Sequence, residues 1–266
     1  MNIPVEKWYQ AIQVRRSRRQ FNGTEIATKT VEYLAEFCQD LNKSYQGARA
    51  VLITENPDQI FKGILGSYGR IKGAPAYIAF IGDSLDSNME EKVGYLGEAV
   101  ILEATSWGLA TCWVAGFFKP EAVAQQITLA PHEVVKGVSP LGYSDKQYSW
   151  EEKVMSSLVS GRKRKNLESL CLTAFSEEWP QWIKTSLEAA RLAPSAVNRQ
   201  PWRFMVDENS ITISVDNIRD SYHISKRLDC GIAMLHLEVG ARSMEVEGCW
   251  EYLSHPKVAK FNFKIF

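Results

Sequence analysis

The chain has 266 residues, 31 Lys and Arg against 31 Asp and Glu, a formal charge of zero, 45% apolar residues and 23% charged ones. That balance excludes a largely disordered chain, a collagenous repeat and an acidic or basic tail protein, and it disfavours a globally basic nucleic-acid binder. The length accommodates one large domain or two of modest size, each able to bury a core.

Trp8 to Val14 reads as a short helix running into Arg15-Arg16-Ser17-Arg18-Arg19, and Thr30 to Leu41 has helical periodicity. Ala48 to Thr54 and Ala76 to Ile81 are apolar, β-branched runs expected as strands. The most apolar window, Val93 to Phe118, is long enough to span a bilayer, but Glu98 and Glu103 interrupt it. Two carboxylates in a span would cost roughly 2.5–3.5 kcal/mol each. A buried helix from Asn88 to Leu109 is the expectation, with no membrane association. A helix over Pro120 to Gln126 and a strand over Val134 to Leu141 follow. Further on, Trp182 to Leu192 is helical, Trp202 to Val206 and Ser210 to Val215 are strands, and Ile232 to Glu245 is a last helix. Strands and helices interleave without a strict βαβα rhythm, which favours an α+β fold with a mixed sheet. A glycine-punctuated segment, Asp58 to Lys72, is either a lid or an ordinary connection.

Setting Gly94–Trp113 against Gly231–Trp250 without gaps gives 5 identities in 20 positions, at Gly94/Gly231, Ala104/Ala241, Ser106/Ser243, Cys112/Cys249 and Trp113/Trp250. Chance gives roughly one, which points to an internal duplication of a long helix followed by a Cys-Trp pair. Two amphipathic helices sharing small packing residues would give the same signal.

Cys38, Cys112, Cys171, Cys230 and Cys249 form no C-x-x-C pair, and the four histidines lie far apart. Neither a disulfide framework nor a metal site is expected, and the cysteines read as core hydrophobes in a reducing compartment. The N-terminal residues lack an apolar h-region, so a cytoplasmic protein is expected.

Three segments carry chemistry. Arg15, Arg16, Ser17 and Arg19 combine guanidinium forks with a hydroxyl, a set that suits a phosphate monoester. A solvated arginine face, a localisation patch and a nucleic-acid contact compete with that reading. Arg162-Lys163-Arg164-Lys165 is uninformative alone, but with the first cluster it supplies eight basic side chains in ten positions. The two clusters form a dianion site only if the fold joins them. The third segment, Ala193-Pro194-Ser195-Ala196-Val197-Asn198-Arg199-Gln200-Pro201-Trp202, lies between a helix and a strand. Its two prolines constrain the backbone, so it suits presentation of Ser195, Asn198 and backbone groups to a flat, polar-edged ligand.

R-x-S-x-R near the N-terminus and A-P-S-x-x-N-x-Q-P-W before a strand resemble the FMN-dependent nitroreductase family, in particular its single-chain members with two half-sized units in tandem. The resemblance implies a nitroreductase-like sheet flanked by helices, with two tandem half-units (residues 1–170 and 171–266) forming a pseudo-dimer. It implies that Arg15, Arg16, Ser17 and Arg19, with Arg162 and Arg164, hold the FMN phosphate. It further implies that the loop starting at Trp113 offers the Gly116 N–H near flavin N5 and O4, and that Pro194, Ser195 and Asn198 line the ring. Ala115 stands where the family commonly has Glu. Each half retains one complementary part of a site: Leu41 to Gln46 replaces the A-P-S loop in the first, and Phe175 to Trp179 replaces R-x-S-x-R in the second. One intact flavin site in a monomer is therefore expected. The implied activity passes hydride from NAD(P)H through FMN to an electron-poor acceptor such as a nitroaromatic or quinone, with no nucleic-acid partner. A flavin-storing or flavin-sensing protein with little turnover is the alternative.

Overall fold

A computed structural model describes residues 1–55, 57–61, 71–116, 118–145, 163–217, 219–220 and 223–264. Apolar residues three and four apart give each amphipathic helix one buried stripe. Helix α1 (Val5–Val14) buries Trp8, Ala11 and Ile12, and α2 (Thr28–Ser44) buries Leu34, Cys38 and Leu41. After α2 come β1 (Ala48–Ile53), the short α3 (Pro57–Phe61), β2 (Ala76–Asp83), α4 (Met89–Ser106), β3 (Ala110–Thr111), the short α5 (Pro120–Ala124) and β4 (Glu133–Gly142). A one-turn helix α6 (Leu167–Leu170) precedes α7 (Gln181–Arg191), β5 (Trp202–Asp207), β6 (Ser210–Val215), α8 (Lys226–Arg242), β7 (Glu247–Tyr252) and β8 (Lys257–Lys264).

The strands form two four-stranded sheets with orders β1-β2-β4-β3 and β5-β6-β8-β7. These are the same order twice, and the register slips once in each sheet, at Phe80/Ile81 and at Ile213/Ser214. The fold is α+β with two tandem half-units, as the sequence suggests. In place of one mixed central sheet, every ladder among the described residues is antiparallel, and parallel pairing there is limited to single bridges such as Ser17–Thr111 and Cys171–Phe204. The segment before α7 runs along the second sheet, where the Leu172 N–H donates to the Phe204 carbonyl at 2.7 Å.

Helices α4 and α8 carry apolar residues on every side because they are buried on every side: Val93 to Ala104 and Leu228 to Ala241 are buried without interruption, a few acids and His236 included. Among the described residues no helix is long and apolar enough to cross a membrane. The two helices cross where glycine removes the side chain. A Cβ on Gly94 would stand 2.1 Å from the Leu228 carbonyl oxygen, and one on Gly231 would stand 2.1 Å from that of Glu91. Gly231 follows Gly94, and Leu228 follows Glu91, by the same 137 positions, so the contact is reciprocal. Reciprocity is the property of a two-fold interface, here inside one chain.

Strands β3, β7 and β8 are not foreseen by the sequence pattern. In β7, exposed and half-buried residues alternate, and Glu247, Gly248 and Glu251 weaken the apolar signal. The last helix begins at Lys226, earlier than its periodicity predicts, because the Ser225 hydroxyl caps it by accepting the Arg227 N–H at 3.2 Å. Of the five cysteines, Cys38, Cys112 and Cys230 are core residues, whereas Cys249 is exposed on β7.

Candidate functional site

Helix α1 ends at Arg15, whose N–H donates to the Ala11 carbonyl and whose side chain is buried. Arg16 is exposed and folds back onto the carbonyls of Gln13 (3.0 Å) and Arg15 (2.7 Å), closing the helix end. The chain then runs beside β3: Ser17 bridges Thr111, and the Arg18 N–H donates to the Thr111 carbonyl at 2.9 Å. Beyond β3, Val114 pairs with Val138, and Gly116 is exposed two residues later. Arg15 to Arg19 and the Trp113–Gly116 segment therefore share one edge of the first sheet. Trp113 turns inward. Its indole N–H donates to Glu98 Oε2 at 2.7 Å, and its ring lies against Phe80 and over Gly97.

The third segment connects α7 to β5 and is held in an unusual conformation. Val197, Asn198 and Gln200 have φ of 46°, 56° and 48°. Left-handed backbone at non-glycine residues costs on the order of 1 kcal/mol or more apiece, so surrounding contacts must impose it. Asp229 accepts the Ala196 N–H at 3.1 Å through Oδ1 and the Arg199 Nε–H at 2.6 Å through Oδ2. Ser195 Oγ accepts the Gln200 N–H at 2.9 Å, and Arg199 also donates to the Ile224 carbonyl at 2.9 Å. The Ser195 hydroxyl is thus engaged within the loop, directly after Pro194.

Arg164 is fastened to this loop and lies within electrostatic reach of Arg15 and Arg16. It donates to Asn198 Oδ1 and, at 3.0 Å, to the Leu192 carbonyl. Asn198 Nδ2 returns a bond to the Lys163 carbonyl at 2.9 Å, and the Lys165 N–H donates to Gln200 Oε1 at 2.8 Å. Burial, followed by the charges of Arg15, Arg16 and Arg191, pushes Arg164 down to about 10. Two basic segments far apart in sequence therefore meet beside the Pro194–Trp202 loop. The burial and neighbouring positive charges that lower the Arg164 affinity for protons would be offset by an anion of charge near −2. The donor set fits the phosphate of FMN. Arg162 lies outside the described residues, as do Phe117 and residues 62–70 of the Asp58–Lys72 segment.

Two residues of this arrangement are missed by sequence reading. Asp229 is a lone acid in the first turn of α8, where it looks like an ordinary complement to the helix dipole. Glu98 shows only as a carboxylate in an apolar window. Burial pushes the Asp229 carboxyl up to about 6 against an ordinary 3.8, although Arg199 pulls it down. Between those values the folded chain holds a proton that the unfolded chain has released, so stability from this group falls as pH rises from about 4 to about 6. Urea unfolding across that range is expected to show wild type losing about 3 kcal/mol relative to Asp229→Asn. Parallel pH profiles for the two proteins would refute the assignment.

Residues 7–241 match the family model described as "Putative TM nitroreductase". No curated protein matches the chain. Among solved structures, one described as a putative nitroreductase from Thermotoga maritima is 20% identical, covering 96% of this chain and 93% of its own, with a TM-score of 0.65. A nitroreductase family protein from Clostridium difficile is 19% identical over 68% of this chain and 100% of its own, with a TM-score of 0.46. An FMN-dependent nitroreductase from the same species is 17% identical over 59% of this chain and 97% of its own, with a TM-score of 0.43.

Proposed function

Because the chain belongs to the TM nitroreductase family, we propose that it is an FMN-dependent oxidoreductase that takes electrons from NAD(P)H. The observation that carries this reading is Arg164, crowded by Arg15 and Arg16 and bonded to Asn198. Arg15, Arg16 and Arg164, with Ser17, Arg19 and Arg162, hold the phosphate. The Gly116 N–H would serve the N5 and O4 edge of the ring, and Pro194, Ser195 and Asn198 would line it. When bound, FMN supplies the redox chemistry, taking hydride at N5 and passing electrons to an acceptor such as a nitroaromatic or quinone. The strained 196–200 loop, locked by Asp229 and Arg164, keeps its shape before any ligand arrives and so lowers the ordering cost of binding.

The reading assigns one FMN to each chain. Between α7 and β5 lie ten residues, 192–201, whereas between α2 and β1 lie three, 45–47. At that shorter connection Tyr45 stacks on Tyr95 with centroids 5.6 Å apart, and its hydroxyl is 2.9 Å from that of Tyr252. Tyr252 follows Ala115 by the same 137 positions that relate Gly94 to Gly231, so protein fills the counterpart of the Gly116 side of the site. The same reading makes the protein a cytoplasmic monomer divided at residues 170 and 171.

Purified protein is expected to be yellow, to contain one FMN per chain at monomer mass, and to bleach on anaerobic addition of NADH or NADPH. Colourless protein that fails to bind added FMN would end the flavin reading. Two FMN per chain would end the single-site reading. Bound FMN without NAD(P)H oxidation would move the protein to flavin storage or sensing.

A further inference from the structure

Gln200 is buried, at 3% exposure, in a loop whose residues from Ser195 to Arg199 are half-buried. Its backbone is left-handed, at φ 48°, where glycine would sit without strain. That strain points to a use for the side chain. Side-chain Nε2 donates to the Lys163 carbonyl at 3.2 Å and to the Asn198 carbonyl at 3.1 Å, while Oε1 accepts the Lys165 N–H at 2.8 Å. Carbonyls only accept and a peptide N–H only donates, so one orientation of the amide satisfies all three. The Lys163 carbonyl and the Lys165 N–H belong to the two peptide groups on either side of Arg164. Peptide groups are planar, so one side chain pins both planes that decide where the Arg164 Cα–Cβ bond points. In return the Lys165 ammonium donates to the carbonyls of Arg199 and Gln200, at 3.0 and 3.1 Å. The head of Arg164 is fastened separately, to Asn198 Oδ1 and the Leu192 carbonyl. Those bonds use two of the five guanidinium N–H groups, so the fork keeps donors for an anion.

We infer that Gln200 is a positioning residue for the anion site: its amide fixes the backbone on both sides of Arg164 and so aims the guanidinium at the phosphate. The inference rests on the flavin reading above. It accounts for glutamine at a left-handed position, since glycine would relax the backbone but take the amide away from Lys163 and Lys165. Burial makes the placement firm, because water does not compete for the three bonds.

The test is a double-mutant cycle on the flavin-stripped full chain, with affinity for FMN and for riboflavin, which lacks the phosphate, read by flavin fluorescence. Gln200→Met keeps the length of the side chain without its amide. It is expected to shrink the FMN-to-riboflavin affinity ratio about tenfold with riboflavin affinity nearly unchanged. In an Arg164→Ala background the same substitution is expected to change FMN affinity by less than about twofold, because Gln200 acts through Arg164. Gln200→Asn, which keeps an amide on a shorter stem, is expected to fall between, about threefold below wild type. It carries the test by itself if the methionine variant does not fold. An unchanged ratio, equal loss of both ligands, or a loss that simply adds to that of Arg164→Ala would overturn the inference and leave the flavin reading intact. Wild type that binds neither ligand would overturn both.

Discussion

Arg164→Ala is expected to weaken FMN binding by about 100-fold. Loss of a two-donor, charge-assisted contact to a phosphate removes roughly 2–3 kcal/mol. Substitution acts twice at this position, because it also releases Asn198 Oδ1 and the Leu192 carbonyl, the two acceptors that fasten the 192–201 loop. For the flavin-free chain the terms oppose one another. Removing Arg164 leaves loop acceptors unpaired, but it relieves the burial of a charge and its crowding with Arg15, Arg16 and Arg191, which together push its ionisation down to about 10. The melting temperature without flavin should therefore move little, while the rise produced by added FMN should largely vanish. Arg164→Lys retains the charge without the fork and is expected to lose about tenfold. Titration of stripped protein with FMN measures all three, and wild-type affinity in Arg164→Ala would refute the assignment of this residue.

Gly94→Ala is expected to be among the most damaging single substitutions outside the site. A new Cβ at 2.1 Å from the Leu228 carbonyl oxygen meets backbone, not the movable end of a side chain, so α4 and α8 must separate. Alanine favours the helix over glycine by about 1 kcal/mol, which the overlap outweighs. A net loss of about 3 kcal/mol, or roughly 6–12 °C in melting temperature, is expected. Gly231→Ala should behave alike, since its Cβ meets the Glu91 carbonyl oxygen at the same 2.1 Å. The double variant should lose less than the sum, because helices already parted by one methyl accommodate the other. Gly23→Ala is the control: φ is 75° but no atom lies within 4 Å of the added carbon, so only backbone strain of about 1 kcal/mol applies. Thermal and urea unfolding decide the matter, and a Gly94→Ala protein as stable as wild type would refute the close crossing.

How much of this the sequence discloses depends on the range of the interaction. Helices α1, α2 and α7 are legible because burial on one side writes a period of about 3.6 residues into the chain. Helix α4 is legible for the opposite reason, an apolar run from Val93 to Ala104 in which Glu98 and Glu103 accept the indole N–H groups of Trp113 and Trp8. Strands β7 and β8 are hidden because their half-exposed faces admit Glu, Lys and Asn. In the site, Pro194 to Trp202 declares itself through its density of constrained residues. The meeting of Arg164 with Arg15 does not, since nothing local to either segment encodes the approach. The left-handed backbone at Val197, a β-branched residue, runs against local preference outright. Tertiary contacts from Asp229 and Ser195 impose it.

The Gly94–Gly231 crossing has a bearing on how such a molecule can change over generations. In an assembly of two identical chains every substitution is made twice, so a ligand pocket and its symmetry mate rise or fall together. Here each side of the axis has its own codons. A tyrosine at position 45 can pack against Tyr95 and Tyr252 on one side while positions 193 to 200 on the other take a different conformation, and the helix crossing that both sides need is left untouched. Covalent linkage separates the inheritance of the scaffold from that of the pockets, and the unmatched pair of connections, three residues against ten, is the trace of that freedom.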